Sequence, residues 1–513
     1  MSGLGKAGAV ALVGLTGHVV EVEAHLSASV PGFTLIGLPD ASLSEARDRV
    51  RAAISSSGLP WPQRKITVNL SPASLPKHGA GFDVAIALAT LAGAGLVDAS
   101  AVRGAVHLGE LGLDGRIHPV RGVLPAVAAA VAAGVRRVVV AEADEREARL
   151  VPGADVVAYS TLAELAYACG ADIAPPEPVA GRAARPPVPR LTPTPDLGDV
   201  MGQHTARAAL EVAAAGGHHL LMVGPPGAGK TMLAARLPGL LPDLTQDESV
   251  EVTAVHSVAG TFDPSSGLVR RPPFEDPHHT ATAAAIVGGG SGVPRPGAAS
   301  RAHHGVLFMD EAPEFSPRVL QTLRQPLEDG ELVIHRVNGA ARYPARFQLV
   351  LAANPCPCGQ AVGKGLACTC TPLARRRYLS RIEGPLLDRV DLQVEVHAVT
   401  RVELGADTPA EDTATVAARV AAARAAARER LSGTGWTVNA QVPGRHLRRM
   451  LGPASGVLTD LDRALDRGLL SLRGADRVLR IAWTLADLAG TTAPVRSDVA
   501  RALALRTRGS VTA

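Results

Sequence analysis

The stretch Gly224-Pro-Pro-Gly-Ala-Gly-Lys-Thr231 follows the apolar run His219-Leu-Leu-Met-Val223. This is the Walker A pattern in the context that it requires, a buried strand that leads through a glycine-rich loop into a helix. In such a loop the backbone N–H groups surround phosphates, Lys230 reaches the β- and γ-phosphates, and the Thr231 hydroxyl ligates Mg²⁺. The chain has only five lysines, so this spacing favours a phosphate loop over an ordinary glycine turn. The sequence predicts a nucleoside triphosphate site formed by Gly224, Pro225, Pro226, Gly227, Ala228, Gly229, Lys230 and Thr231.

Length and composition indicate a soluble protein of several domains. A chain of 513 residues is long enough for two to four domains with full cores. Hydrophobic residues make up 46% and aromatic residues 3% of the chain, which fits an α/β protein built on Ala, Val and Leu. The net charge of +4 permits a nucleic-acid partner without requiring one.

The sequence predicts a cytoplasmic protein without a membrane segment. No stretch reaches the ~18 uninterrupted apolar residues of a membrane span. The apolar segment from Ala7 to Leu15 is interrupted by glycine and leads into strand-like residues, so it is interpreted as the first strand and not as a signal peptide. Four of the five cysteines lie within one short segment, which does not suggest a disulfide framework.

Proline marks the main division of the chain. Residues 173–195 are rich in proline and are interpreted as a semi-rigid linker. Residues 1–172 before it mix strand-like and helical patterns. After it, residues 196–397 are expected to form the nucleotide-binding core, and residues 398–513 a helical domain. In this last part, apolar periodicity near 3.6 residues covers 412–431 and 458–488.

Two further strand ends complete an ATPase pattern. Gly305-Val-Leu-Phe-Met-Asp-Glu311 is an apolar strand that ends in two acids, so Asp310 is expected to hold Mg²⁺ and Glu311 to polarise the attacking water. A third strand, from Phe347 to Ala353, ends at Asn354, which either senses the γ-phosphate and positions the water or only caps the turn before Pro355.

The order of these motifs, followed by Gly384-Pro-Leu-Leu-Asp-Arg-Val-Asp391, resembles the AAA+ ATPases and, more narrowly, the magnesium-chelatase-like YifB/ComM family. Supporting segments are Gly37–Asp40, Pro277–Thr280, Val287–Gly290, Ala302–Val306, Asn354–Gly359 and Arg477–Arg480. The resemblance implies an α/β protein that binds ATP and Mg²⁺. Its expected parts are an N-terminal Lon-protease-like domain of the ribosomal S5 domain 2-like α+β fold, a P-loop AAA+ core and a C-terminal helical lid.

The resemblance also assigns arginines. Arg389 would be the arginine finger, which reaches the ATP of a neighbouring subunit in a homo-hexameric ring; the simpler interpretation is an ion pair with Asp388 or Asp391. Arg473 is the first choice for the sensor-2 arginine, and Arg477, one helical turn later, is its competitor.

A hairpin is predicted between the strands that end at Glu311 and Asn354. Residues 331–337 alternate in polarity, turn at Asn338-Gly339 and return toward Phe347. In related AAA+ helicases a hairpin here enters the ring pore, so His335, Arg336 and Arg342 are candidates for contacts with DNA phosphates. A solvated hairpin with an ordinary charge pair fits the sequence equally well.

The cysteine cluster has two interpretations. Cys356 and Cys358, with Cys368 and Cys370, supply the four thiolates of a structural Zn²⁺ site. The C-x-C spacing is tighter than the usual C-x₂-C, and a reduced loop without metal remains the alternative.

The N-terminal domain is expected to be proteolytically inactive. Ser74–Asp83 and Gly109–Pro119 resemble the Lon fold, whose Ser-Lys dyad performs acyl chemistry. Gly81 stands at the serine position and the lysine position falls near Leu124, so both members are missing. Lys77, Ser71 and Ser74 have no positioned partner that the sequence identifies.

Three functions therefore compete: a motor on branched or single-stranded DNA, a chelatase-type motor subunit, and an ATPase that remodels proteins. The Lon-like domain and the Cys-Pro-Cys-Gly segment favour the first over the second, because they are features of the YifB/ComM group.

Overall fold

The computed structural model describes ten ranges of the chain: 3–37, 45–77, 79–177, 195–290, 294–336, 339–361, 366–382, 386–399, 410–452 and 456–507. Most of the predicted linker 173–195 lies outside these described residues. Within them, no helix combines the length and apolar character needed to cross a membrane.

The N-terminal part is a mixed sheet covered by helices. Its strands are β1 (Gly3–Val13), β2 (Thr16–Ser27), β3 (Gly32–Ile36), β4 (Lys65–Ser71), β5 (Ala105–His107), β6 (Glu110–Leu111), β7 (Ile117–His118), β8 (Arg137–Ala141) and β9 (Asp155–Tyr159). Its helices are α1 (Ala46–Ser56), α2 (Asp83–Ala94), α3 (Ala99–Val102), α4 (Val123–Ala132), α5 (Glu145–Ala148) and α6 (Leu162–Ala168). Seven strands form one sheet in the order β3-β4-β2-β1-β5-β8-β9, and β6 pairs with β7. The segment interpreted as the first strand is β1, as predicted.

Period-two burial explains this sheet. In β2 the alternate residues Val20, Val22, Ala24 and Leu26 are buried, and the strand pairs antiparallel with β1 from Gly3↔Leu26 to Val13↔Thr16. Helix α2 packs on β1 and β2 and is buried on almost all sides, as expected for a helix with apolar residues around its whole circumference.

The nucleotide-binding core is a parallel sheet between helices. Its strands are β10 (Leu220–Val223), β11 (Phe274–Glu275), β12 (Gly288–Gly289), β13 (Arg295–Pro296), β14 (Val306–Met309), β15 (Glu331–Arg336), β16 (Gly339–Pro344), β17 (Gln348–Ala353) and β18 (Leu392–Glu395). Its helices are α7 (His204–Gly216), α8 (Lys230–Ala234), α9 (Leu237–Leu240), α10 (Gln246–Ala259), α11 (Ala283–Val287), α12 (Ala298–Arg301), α13 (Pro317–Thr322), α14 (Arg324–Asp329) and α15 (Pro372–Ser380). The five-stranded sheet has the order β11-β14-β17-β10-β18, and every pairing in it is parallel. This arrangement confirms the expected P-loop α/β core.

The C-terminal part is helical. It comprises α16 (Thr413–Arg430), α17 (Gly444–Leu451), α18 (Thr459–Asp466), α19 (Leu472–Leu488) and α20 (Arg496–Thr507). The apolar periodicity over 458–488 belongs to two helices, because the chain takes a positive φ of 67° at Gly468 and α19 restarts behind the Ser471 side-chain cap. Helix α19 packs on α7 of the core, and Trp483 lies fully inside this contact.

The N-terminal domain packs on the core, and two of its contacts bear on the site. Helix α4 contacts α10, where Ala254 joins the apolar cluster that contains Leu124. The turn between β1 and β2 meets the hairpin β15–β16: a Cβ on Gly14 would lie 2.4 Å from the carbonyl oxygen of Arg342. Glycine is therefore required where this turn lies against β16.

Candidate functional site

The phosphate loop joins β10 to α8, as its sequence predicts. A Cβ at Gly224 would lie 2.1 Å from the carbonyl oxygen of Val396, so only glycine permits this close approach to the chain after β18. Gly229 has a φ of 88° and turns the loop into the first residue of α8, Lys230. The loop thus ends at a helix N-terminus, where backbone N–H groups favour anions.

Lys230 is held above this loop. Its Nζ donates to the carbonyl oxygens of Gly224 at 2.7 Å and Pro225 at 2.9 Å, and to Asn354 Oδ1 at 3.1 Å. The side chain is buried, and burial lowers the pKa of Lys230, while the carboxylates of Asp310 and Glu311 act in the opposite direction. The ammonium group therefore lies where strands β10, β14 and β17 end side by side.

Two oxygen ligands suited to Mg²⁺ lie together at the start of α8 and the end of β14. Thr231 Oγ1 donates to Asp310 Oδ2 at 2.6 Å, and Asp310 Oδ1 accepts the N–H of Glu311 at 2.9 Å. A hydroxyl and a carboxylate are hard oxygen donors of the kind that Mg²⁺ prefers. The residues present therefore fit the ion that the phosphate loop implies.

Glu311 takes an unusual backbone conformation. Its φ is 50°, one of three positive values among described non-glycine residues, and such strain is concentrated at functional sites. Its carboxylate Oε2 lies 3.3 Å from His279 Nδ1. The sequence analysis missed His279 as a site residue: Pro277–Thr280 supported the family resemblance, but nothing local indicated a contact across the sheet edge.

Asn354 contacts Lys230. It follows β17, its side-chain oxygen accepts a hydrogen bond from Lys230 Nζ at 3.1 Å, and its backbone lies near the Tyr378 hydroxyl. Burial raises the pKa of Tyr378 to about 12, so this hydroxyl stays protonated at neutral pH. The position between the two motif strands agrees with a sensor role, and the contact to Lys230 goes beyond a simple turn cap.

Arg389 pairs with a residue that the sequence analysis did not consider. It ends a short 3-10 turn, Leu387–Arg389, and its guanidinium forms an ion pair with Glu328 of α14. The two aspartates proposed as its alternative partners are used by other arginines. Arg473 Nη1 lies 3.2 Å from Asp388 Oδ2, and Arg477 pairs with Asp391.

The two sensor-2 candidates differ in burial. The Arg473 side chain is 79% exposed, whereas Arg477 is 14% exposed. Burial by itself would raise the pKa of Asp391, but its hydrogen bond with His218 and the charge of Arg477 hold that pKa well below the usual range. Arg477 is thus part of a buried link between the core and the C-terminal helices, whereas Arg473 presents an exposed cation at the surface.

The predicted hairpin is present as β15–β16, paired from Glu331↔Pro344 to Arg336↔Gly339. His335 is exposed, and Arg342 is 70% exposed with its Nη1 2.9 Å from Glu331 Oε1. The side chain of Arg336 and the turn residue Asn338 lie outside the described residues. On the opposite face, Ile334 and Tyr343 pack near the N-terminal domain.

The four clustered cysteines meet. The Sγ of Cys356 lies 3.3 Å from that of Cys358 and 3.6 Å from that of Cys368, and all four ligand atoms, including that of Cys370, lie within 4.8 Å of one another. The N–H of Gln360 and the thiol of Cys356 lower the pKa of Cys358 to about 6. The group offers a complete set of soft ligands.

A second group of metal-type ligands among the described residues is better explained as a set of ion pairs. His303 Nδ1 accepts the N–H of Arg346 at 3.0 Å, which leaves the proton on Nε2, 3.1 Å from Glu251 Oε2. A protonated nitrogen has no lone pair for a metal. The neighbouring rings of His303 and His304 hold the pKa of Glu251 well below its usual range.

The Lon-like positions have no catalytic arrangement among the described residues. Gly81 lies in a 3-10 turn, and Leu124 is buried in α4 with its N–H donating to Glu147 Oε1 at 3.0 Å. Lys77 is fully buried, and its Nζ donates to the carbonyl oxygen of Pro72.

Comparisons with known proteins agree along the whole chain. Residues 196–404 match the family "Magnesium chelatase, subunit ChlI", residues 22–144 match "Subunit ChlI of Mg-chelatase", and residues 410–506 match "Magnesium chelatase, subunit ChlI C-terminal". The chain is 52% identical to an uncharacterized protein of Mycobacterium tuberculosis over 99% of both chains. It is 39% identical to the uncharacterized protein YifB of Escherichia coli and 39% identical to the competence protein ComM of Haemophilus influenzae, in each case over 97% of this chain and 96% of the relative.

Proposed function

Because this chain belongs to the YifB/ComM family of magnesium-chelatase-like proteins, we propose that it is an ATP-hydrolysing AAA+ ring motor that acts on DNA. One observation carries the ATPase part. The first two residues of α8 each bond to the residue after a neighbouring strand: Lys230 to Asn354 at 3.1 Å after β17, and Thr231 to Asp310 at 2.6 Å after β14. Phosphoryl transfer needs this convergence, because its catalysis is mostly positioning and charge stabilisation.

Each residue has a role in the proposed reaction. The loop N–H groups and Lys230 hold the β- and γ-phosphates, and Thr231 and Asp310 hold Mg²⁺, which when bound neutralises phosphate charge. Glu311 accepts the proton of a water that attacks the γ-phosphorus, while the bond from that phosphorus to the β-phosphate oxygen breaks. His279 orients the Glu311 carboxylate, and Asn354 positions the water.

A homo-hexameric ring is part of the proposal. Arg389 would reach the γ-phosphate of a neighbouring subunit, which requires that its ion pair with Glu328 be exchanged for that contact. Arg473 or Arg477 would complete the site from the lid, and exposure favours Arg473 as the arginine free to move.

The DNA substrate is supported by one relative and one surface. The relative of Haemophilus influenzae is named as a competence protein, and the hairpin β15–β16 exposes His335 and Arg342. A cation on a hairpin that enters a ring pore is suited to the phosphates of a single or branched strand. We propose that ATP hydrolysis drives branch migration or unwinding of this DNA.

Structural Zn²⁺ in the cysteine cluster and a cytoplasmic location complete the proposal. Four protein thiolates leave no open position for a substrate, so this ion would be structural. Five cysteines without a disulfide agree with a reducing compartment.

Steady-state ATPase activity tests the proposal. The rate is measured without DNA and with duplex, single-stranded and four-way-junction DNA, with Lys230→Ala as the blank. We expect the junction to stimulate turnover most. A high ATPase rate that no DNA changes would contradict the proposed action on DNA. It would favour an ATPase that remodels proteins or a chelatase-type motor subunit. Turnover at the level of the blank would contradict the ATPase itself.

The hairpin has a matched control elsewhere in the chain. Arg342 and Arg496 are both exposed and each pairs with one acid, at 2.9 and 2.8 Å. Arg342→Ala is expected to lower the ratio of DNA-stimulated to basal turnover, and Arg496→Ala to leave it unchanged. Equal ratios in both variants would remove Arg342 from the DNA contact.

A further inference from the structure

The cysteine cluster has the spacing of ligands around one shared cation. Three Sγ–Sγ distances are 3.3, 3.6 and 3.6 Å, between Cys356, Cys358 and Cys368. A tetrahedral site with Zn–S bonds of about 2.3 Å places its sulfurs about 3.8 Å apart, whereas a disulfide brings two sulfurs to about 2.05 Å. The observed distances match the metal site and not the disulfide.

A backbone hydrogen bond closes the turn that carries two of these sulfurs. The N–H of Gly359 donates to the carbonyl oxygen of Cys356 at 2.9 Å. This bond keeps Cys356 and Cys358 on one short turn, from which both can bind the same ion.

The same turn lies directly on the phosphate loop. Gly359 has a φ of 75°, and a Cβ there would lie 2.5 Å from Pro226 Cδ. No side chain fits between the cluster and Pro226, so the position of the Walker A loop is set partly by the position of this turn.

The cluster also determines the surroundings of Asn354. Cys356 follows Asn354 by two residues, and Cys370 comes just before α15, which carries Tyr378. Arg375 Nε donates to the carbonyl oxygen of Cys370 at 3.3 Å, and the Tyr378 hydroxyl lies near the backbone of Asn354. A metal bound to all four cysteines would therefore connect the two elements that flank Asn354, the end of β17 and α15.

We propose that Cys356, Cys358, Cys368 and Cys370 bind one Zn²⁺ and that this centre is a brace for the ATP site, acting on the Walker A loop through Gly359 and Pro226 and on Asn354 through Tyr378. The effect on ATP rests on the proposed ATPase function, whereas the metal site does not. Without the ion, the end of β17 and the start of α15 lose their cross-link. The affinity for ATP is then expected to fall about tenfold, as when other contacts that orient a site are lost.

Metal content tests the site itself. The full-length protein, purified under reducing conditions from zinc-supplemented cells, is analysed for bound metal and titrated with Co²⁺ after zinc removal. We expect one Zn²⁺ per chain and the visible absorption of a tetrahedral cobalt–thiolate centre, both lost in Cys368→Ser. Cys169→Ser, which removes the buried thiol of the N-terminal domain, keeps both. Wild-type protein without zinc and without the cobalt absorption would overturn the proposal.

The brace is tested by two further readouts. Amide hydrogen exchange of residues 224–233 is compared in nucleotide-free protein with and without Zn²⁺, and ATP affinity is measured in the same samples. Gly359→Ala keeps all four thiols, so we expect it to retain Zn²⁺ yet to bind ATP more weakly and to exchange faster in 224–233. Unchanged exchange in both the zinc-free protein and this variant would overturn the brace. A wild-type protein that holds Zn²⁺ but binds no ATP would instead contradict the proposed function, and the exchange readout would still decide the brace.

Discussion

Two buried lysines distinguish the core from the N-terminal domain. Lys230 is 8% exposed and Lys77 is 0% exposed, and burial lowers the pKa of both. Lys230 donates to three oxygens and has Asp310 and Glu311 close enough to oppose this effect. Lys77 donates to one backbone carbonyl, and burial is the single cause that acts on its pKa. Burial of an ammonium group therefore does not identify a functional site. The polar and acidic groups that surround the ammonium do.

The surroundings of the two lysines differ in the same way. Around Lys230, polar side chains come from several strand ends. In the N-terminal domain, the region that the Lon resemblance matches to a catalytic lysine is Leu124, which packs with Ala254 of α10. Glu147 accepts both the N–H of Leu124 and the hydroxyl of Ser257. This position is therefore occupied by a contact between the N-terminal part and the core.

The largest effect is expected from Lys230→Ala. Removing the ammonium leaves the phosphates without their cation, so kcat/KM should fall by more than about 10³-fold, through turnover as well as affinity. ATP binding by a fluorescent analogue and steady-state hydrolysis measure both parts. A kcat/KM for ATP hydrolysis within tenfold of wild type would show that the Lys230 ammonium is not needed for catalysis.

Arg389→Ala should lower turnover by about 10³-fold while ATP still binds, since an arginine finger acts on the transition state. A mixing experiment tests action between subunits. Arg389→Ala chains keep an intact phosphate loop, and Lys230→Ala chains keep the finger, so mixed rings should recover part of the activity that each variant lacks alone. A mixture as inactive as its components, with mixed rings verified by native mass spectrometry, would contradict a finger in trans.

Glu311→Gln is expected to slow hydrolysis by about 10²-fold, because the amide cannot accept the proton of the attacking water. ATP should bind as well as in wild type, since the carboxylate is not needed to hold the phosphates. Single-turnover measurements separate ATP binding from the rate of the hydrolysis step. Full turnover in this variant would end the assignment of Glu311 as the base.

The smallest effect on hydrolysis is expected from Lys77→Met, which keeps the shape of the side chain and removes its charge. Turnover should stay within twofold of wild type. Burial lowers the folded-state pKa of Lys77 below its usual value of 10.5, so the stability that Lys77 contributes is complete above pH 10.5 and is lost as the pH falls through the interval down to the folded pKa. The variant should lack this dependence in urea unfolding. A large loss of ATPase activity would contradict the contrast between the two lysines.

Much of the nucleotide site could be predicted because its signals are local. The phosphate loop requires glycine where Gly224 approaches Val396, and a strand of four to six apolar residues followed by Asp310 or Asn354 is visible without knowledge of its neighbours. In a parallel sheet the carboxyl ends of the strands lie at one edge, so these polar residues could be expected to lie close together. The hairpin was equally predictable from alternation and an Asn-Gly turn.

Contacts between distant segments were not predictable. The sequence suggested Asp388 or Asp391 as partners of Arg389, because they are its neighbours in the chain, but the 3-10 turn directs the guanidinium toward Glu328 instead. His279 was missed for the same reason, because it reaches Glu311 across the edge of the sheet. Tyr378 likewise comes near Asn354 from a later helix.

The fold class, the glycine-rich loop and the missing Ser-Lys dyad can be recognised in the amino-acid sequence, since each depends on residues within one short segment or on a residue that is missing. The pairing of charges, the approach of the four cysteines and the contact of their turn with Pro226 become visible in the folded chain. A hydrogen bond or an ion pair depends on distances of about 3 Å. Such distances between remote segments are set by how the layers pack together, which no local pattern records.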